Sequence, residues 1–188
     1  WCSAVRRNRF LEVNGFNVRI PEPTVEDEEL GYTIADNGGR IALDKSILVT
    51  HLACYNLPQF TRRRMRMARA QAKSGWRQIK NRLLARYINV RESGTHHSRW
   101  VVLSILLVLL AQVSLLSTLI TADLRSIALF LLLLLSSLVC HVKFLRSAAG
   151  HMGKGILFSF ALLSVFDMAV LGWGIIQGTL QYIAGKKY

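Results

Sequence analysis

The chain has 188 residues, 52% of them hydrophobic, and 24 Lys and Arg against 11 Asp and Glu give a formal net charge of +13. Charge and apolar residues are too unevenly spread for one uniform soluble domain. Three scattered cysteines, Cys2, Cys54 and Cys140, show no CxxC spacing and suggest neither a disulfide framework nor a zinc site.

Three zones follow from the distribution: residues 1–61, residues 62–92 and residues 93–188. The first carries six basic and eight acidic side chains, the second eleven basic and one acidic, the third seven basic and two acidic. The sequence opens at Trp1 on no apolar signal-peptide segment, and no Asn-x-Ser/Thr sequon occurs, which fits a polar region kept away from a glycosylating lumen.

Two β-hairpins are expected in the first zone. In FLEVNGFNVRI, residues 10–20, Asn14-Gly15 falls between β-prone runs, and in YTIADNGGRIAL the run Asp36-Asn37-Gly38-Gly39 separates Ile34 from Ile41. Between them PEPTVEDEEL reads as an acidic, Pro-bearing linker. Its run Glu26-Asp27-Glu28-Glu29 is either solvated or paired with arginines of a neighbouring copy. So small an arm needs a partner or the adjacent helix to dock on.

The second zone predicts one basic amphipathic helix. Met65, Ala68, Ala72, Trp76, Ile79, Leu83, Tyr87 and Val90 recur at intervals of three and four, and Leu84 and Ile88 widen the stripe. The other faces carry Arg62, Arg63, Arg64, Arg66, Arg69, Lys73, Arg77, Lys80, Arg82, Arg86 and Arg91, with Ser74 and Gly75 as a weak middle. No acid precedes Glu92, so an ordinary solvated face of mixed sign is a poor fit. The stripe suits the acyl and headgroup boundary, with Trp76, Tyr87 and later Trp100 as interface anchors. Nine of the eleven cations are Arg, which grips phosphate bidentately, so the expected partner is anionic lipid or RNA. No element here reads a base sequence, so RNA would be bound nonspecifically and with steep salt dependence. A calmodulin-target helix has a similar pattern.

The third zone reads as membrane. Trp100–Thr121 is 22 uncharged residues, long enough to span about 30 Å of hydrocarbon as a helix. Residues 126–142 form a second uncharged run, and ADLR between them predicts a tight hairpin with Asp123 and Arg125 at its tip. Residues 155–185 hold a single charge, Asp167, and predict either one tilted helix or a shallow hairpin bent near that residue. The basic N-terminal half and the connection KFLRSAAGHMGK are expected on the same membrane face. Asp167 is read as an intramembrane charge at a bend, or held by a basic residue of a partner subunit, in preference to a proton or ion relay. Gly174 and Gly178, at GxxxG spacing beside Gly172, predict a close helix contact.

The fold class expected is thus an α-helical integral membrane protein of about three spans, 100–121, 126–142 and 155–185. A basic helix and a hairpin-containing arm precede them. No HExxH, GxSxG or complete phosphate loop occurs; GHMGKG lacks the GxxxxGK[ST] pattern. His96, His97, His141 and His151, with Cys140, share one expected face and read as ordinary interfacial residues rather than metal ligands. No enzyme, metal or cofactor is expected. A transporter would need more polar lining than Asp167, Gln112 and Gln177 supply.

A basic polar segment, 62–92, followed by clustered apolar helices resembles the layout of the small virion membrane proteins of negeviruses and cileviruses, a family usually drawn with four spans. The resemblance implies a non-enzymatic structural protein of the virion envelope that packs laterally as an oligomer and meets RNA with its basic face. The alternative is an accessory subunit of an organellar complex, such as one of the mitochondrial inner membrane, holding anionic lipid.

Overall fold

The structure, a computed structural model, describes residues 3–42, 44, 46, 47, 49, 54–77 and 99–188. Seven α-helices and no strand occur among them: α1 (Arg7–Glu12), α2 (Glu26–Asp36), α3 (Leu57–Arg77), α4 (Arg99–Thr121), α5 (Leu124–Cys140), α6 (Val142–Met152) and α7 (Leu157–Ile183), the last entered through a short 3-10 turn, Lys154–Ile156.

Both expected hairpins are helix ends. Asn14 has φ +61, its N–H bonds Leu11 O at 3.0 Å, and the Gly15 N–H reaches back to Phe10 O at 2.8 Å. Gly38 has φ +74, its N–H bonds Ala35 O at 3.1 Å, and the Gly39 N–H bonds Ile34 O at 2.8 Å. Each pair of bonds is a Schellman cap. An Asn-Gly or Gly-Gly pair supplies the left-handed φ that a hairpin turn and a helix C-cap both need, so the same residues signal either. In this chain they stop α1 and α2. The acidic run forms the first turn of α2, where carboxylates offset the positive end of the helix.

Helix α3 begins ahead of the basic run. Asn56 Oδ1 accepts from the Gln59 N–H at 3.0 Å while Gln59 Oε1 accepts from the Asn56 N–H at 3.1 Å, a reciprocal capping pair. It continues through Ser74 and Gly75 to Arg77. The remainder of the expected basic helix, residues 78–92, lies outside the described residues.

Helices α4 and α5 form the tight antiparallel hairpin. Asp123 caps α5 by accepting from the Arg125 N–H at 3.1 Å. Ser104 Oγ and Ser137 Oγ meet at 2.8 Å, His141 Nε2 lies 2.9 Å from Ser104 Oγ, and Ser114 Oγ donates to Ser126 O at 2.8 Å. Such hydroxyl contacts join helices where apolar burial alone gives little preference for one neighbour over another. The second apolar run then bends by 64° between α5 and α6. By length and composition α4 and α7 can cross a membrane, and the bent pair α5 and α6 makes a third span if counted as one. Leu119 and Ile120 on α4 are 75% and 84% exposed, an apolar outer surface suited to lipid.

Helix α7 is a single unbroken element of 27 residues, about 40 Å long, which resolves the choice between helix and hairpin at residues 155–185. It runs in the same sense as α4: Gly172 faces Leu109, and Trp173 Nε1 donates to Gln112 Oε1 at 2.9 Å. The buried centre is Ala68 of α3, Ile105 and Val108 of α4, and Met168 and Leu171 of α7.

The arm and the basic connection KFLRSAAGHMGK, expected on one face, adjoin opposite ends of α7. The arm bonds to the far end of α7, where Arg19 Nη1 donates to Tyr188 Oη at 3.5 Å, whereas α6 adjoins the near end of α7. Because α7 does not turn back, its length separates the arm from that basic connection.

Gly38→Val puts a β-branched residue at a left-handed φ. It should destabilise the arm by about 1–2 kcal/mol, read as an earlier loss of helicity in denaturant by far-ultraviolet circular dichroism.

Candidate anion-binding face

Met65, Ala68, Ala72 and Trp76 lie along the side of α3 turned to α7. The two helices run in the same sense and almost touch through their backbones. A Cβ built on Gly174 would stand 2.5 Å from Ala68 Cβ and 3.0 Å from Met65 O. One on Gly178 would stand 2.5 Å from Arg69 O and 2.8 Å from Arg69 Cα. Hydrogen side chains at these two positions are what let α3 lie so close. Gly172 faces the opposite neighbour, where a Cβ would meet Leu109 Cδ2 at 2.9 Å.

Asp167 lies deeper along the same interface. Arg64 Nε donates to Asp167 Oδ1 at 2.6 Å and Arg64 Nη2 to Oδ2 at 2.5 Å, a bidentate fork. The sequence predicts a bend at Asp167 or a basic partner in another subunit. The partner is in the same chain, and α7 continues unbroken. At the end of the interface Trp76 Nε1 donates to Thr179 Oγ1 at 3.1 Å, and its ring stacks on Tyr182 with centroids 6.1 Å apart. Trp100 is half-exposed at the opposite end of α4, so aromatic anchors stand near both ends of the apolar bundle.

A second centre is Glu29, a member of the acidic run expected to be solvated or paired with arginines of a neighbouring copy; its arginine, Arg77, is in the same chain. The Glu29 side chain is 8% exposed. It accepts from Asn17 Nδ2 at 3.1 Å, from Ser74 Oγ at 2.6 Å and from Arg77 Nη2. Arg77 also donates through Nη1 to Lys187 O at 2.5 Å and lies 4.8 Å over the Tyr188 ring. The carboxylate therefore ties α2 to the end of α3, and its partner Arg77 extends the tie to the segment after α7. The signal was an acidic run in a basic chain; which of its four acids turned inward was not legible.

The described cations divide accordingly. Arg64 and Arg77 are spent on internal ion pairs. Arg62, Arg63, Arg66, Arg69 and Lys73 remain, distributed over faces of α3 not committed to those pairs. Arg63 Nη1 donates to Tyr55 Oη at 2.5 Å, and Arg66 pairs with Glu22 at 3.0 Å with both side chains half-exposed. Lys73 Nζ donates to Tyr188 O at 3.0 Å, while Arg62 and Arg69 make no hydrogen bond or ion pair among the described residues. Lys80, Arg82, Arg86 and Arg91, the anchor Tyr87, and His96 and His97 lie outside the described residues.

Two hollows flank this row and share Arg66 and Arg69. An open groove of about 730 Å³ runs beside Tyr55, Arg62 and Arg63. A smaller cavity of about 260 Å³ lies between α3 and the loop bearing Pro21, Glu22 and Thr24, and Gln181 and Tyr188 also line it. Burial, then the charges of Arg69, Arg77 and Lys186, hold the Lys73 amine below its ordinary value. A lowered value in the folded state means charged Lys73 opposes folding, and that cost fades as pH rises through the folded value. No group of three or more metal-ligating side chains occurs among the described residues.

No family model, curated protein or solved structure matches the chain.

Gly178→Leu would drive a side chain into the Arg69 main chain. It should release α3, so that trypsin cuts after Arg69 and Lys73 at least about tenfold faster, as mapped by mass spectrometry. Asp167→Asn leaves a half-buried guanidinium without its counter-charge and should cost about 2–3 kcal/mol in detergent unfolding. The double variant Arg64→Gln/Asp167→Asn should recover part of that loss.

Proposed function

We propose that this is a non-enzymatic, structural multi-pass membrane protein that packs laterally and holds anionic lipid headgroups on the basic face of α3. One observation carries the reading. The small and apolar side of α3 is consumed by its seat on α7, while Arg62, Arg63, Arg66, Arg69 and Lys73 remain along a helix parallel to two candidate spans. From residue 62 to residue 73 the row extends about 16 Å.

Acyl chains cannot cover such a row, since each cation at membrane depth costs about 2.5–3.5 kcal/mol even by the mildest scale. Phosphate headgroups drawn down the side of the bundle can, and so can a polar seam between neighbouring copies, which supports lateral assembly. Anionic lipid is favoured over RNA because the row runs along the bundle and the aromatic pair Trp76 and Tyr182 closes its far end, as in an interfacial belt. On the layout resemblance, the membrane concerned is that of a virion.

Spin-labelled phosphatidylglycerol and phosphatidylcholine, compared on reconstituted full-length protein, test this directly. Selectivity for the anionic lipid should weaken with added salt and fall close to unity in Arg62→Gln/Arg63→Gln/Arg66→Gln/Arg69→Gln. Equal association of both lipids with the unmodified protein would overturn the reading, and so would RNA crosslinks at these arginines in protein that shows no lipid preference.

A further inference from the structure

The cations of the small cavity are not equivalent. Arg66 is offset by Glu22, and Arg77 by Glu29. Arg69 has no hydrogen bond or ion pair among the described residues, and Lys73 contacts only the main-chain oxygen of Tyr188. Two positive charges, four residues apart on one helix, therefore stand in the same hollow with no Asp or Glu partner among the described residues.

Position adds a second constraint. The cavity is lined by Gln181 near the end of α7 and by Tyr188 beyond it, level with the Trp76 and Tyr182 stack. Amphipathic aromatic side chains at the end of an apolar helix suit the headgroup region of a bilayer. Leu180 and Ile183, 61% and 72% exposed, offer apolar surface at this same end of α7.

Thus we propose that the cavity is a discrete binding site for one phosphate group, borne by an anionic phospholipid, with Arg69 and Lys73 as its ligands and the Glu22–Arg66 pair as its rim. A single phosphate fits two adjacent cations that no acidic side chain offsets, since charge-assisted bonds to its oxygens replace the repulsion between them. The inference rests on the broader reading of the α3 face but is narrower: it requires one stoichiometric site where the face alone requires only enrichment. Lys73, desolvated and crowded by like charges, gains most from an anion's arrival.

The probe is full-length protein in phosphatidylcholine nanodiscs containing phosphatidylglycerol, released into native mass spectrometry with and without inorganic phosphate. One phosphatidylglycerol should stay on each chain. Arg69→Gln and Lys73→Gln should each weaken that adduct by about tenfold, the effect of losing one charge-assisted contact. Arg62→Gln/Arg63→Gln removes equal or greater charge from the same helix outside the cavity and should leave the adduct in place. Displacement by inorganic phosphate would identify soluble phosphate as a competent source of the group, and resistance would identify the lipid. If the Arg62 and Arg63 changes weaken the adduct as much as the cavity changes, the discrete site is overturned while the broader reading stands. Selectivity at the protein perimeter without any retained lipid has the same meaning, and absence of both overturns both.

Discussion

Everything distinctive in this bundle depends on two missing side chains. Gly174 and Gly178 let the backbone of α3 reach the surface of α7, and only at that separation do the other contacts close. Ala68 enters the common core, Arg64 reaches Asp167 with both guanidinium donors, and Trp76 covers Tyr182. In an apolar bundle the driving force for one helix to choose another is weak, so close packing and a few polar contacts set the choice. The glycines supply the first and the ion pair the second. A basic helix that by composition belongs at a surface is thereby held along the flank of two membrane-like helices.

The same seat decides which cations are available. Charge alone makes every residue of the basic run equivalent, whereas packing commits Arg64 to Asp167 and Arg77 to Glu29, sets Arg66 against Glu22 at the surface, and leaves Arg62, Arg63, Arg69 and Lys73 outside these pairs. Glu29 does the corresponding work for the arm. Because one carboxylate accepts from Asn17 of the arm and from Ser74 and Arg77 of α3, and Arg77 in turn donates to Lys187 O, the arm is fixed against α3 and the residues after α7 rather than tethered loosely. Its acids meet the basic face at two points, Glu22 on Arg66 and Glu29 on Arg77, and it also forms a wall of the small cavity.

Apolar helices were legible in the sequence because length and lack of charge suffice to find them: α4 and the tight α4–α5 turn with Asp123 at its tip stand where expected. The hairpins were misread for a physical reason. Asn14-Gly15 and Gly38-Gly39 announce a positive φ, and a turn between strands and the close of a short helix demand it equally. The capping pair Asn56 and Gln59 is a local N-terminal signature that lies ahead of the charge run. Asp167 was recognised as needing a partner. That the partner was Arg64, and not one of ten other cations in the same segment, depends on the crossing of two helices distant in sequence, which no local pattern encodes.

That distance has a consequence for how the chain is made. Arg64 and Asp167 are 103 residues apart, and at 5–20 residues per second the ribosome needs roughly 5–20 s to pass from one to the other. During that interval α3 exists without its seat, an amphipathic helix with its small and apolar side exposed, while α4 and α5 are already available for insertion. When α7 emerges it carries a lone carboxylate that a bilayer resists. Arrival of Arg64 removes that resistance, so insertion of the last helix and docking of the third become one coupled step in biogenesis. A nascent chain stopped short of residue 167 would have no means of taking it.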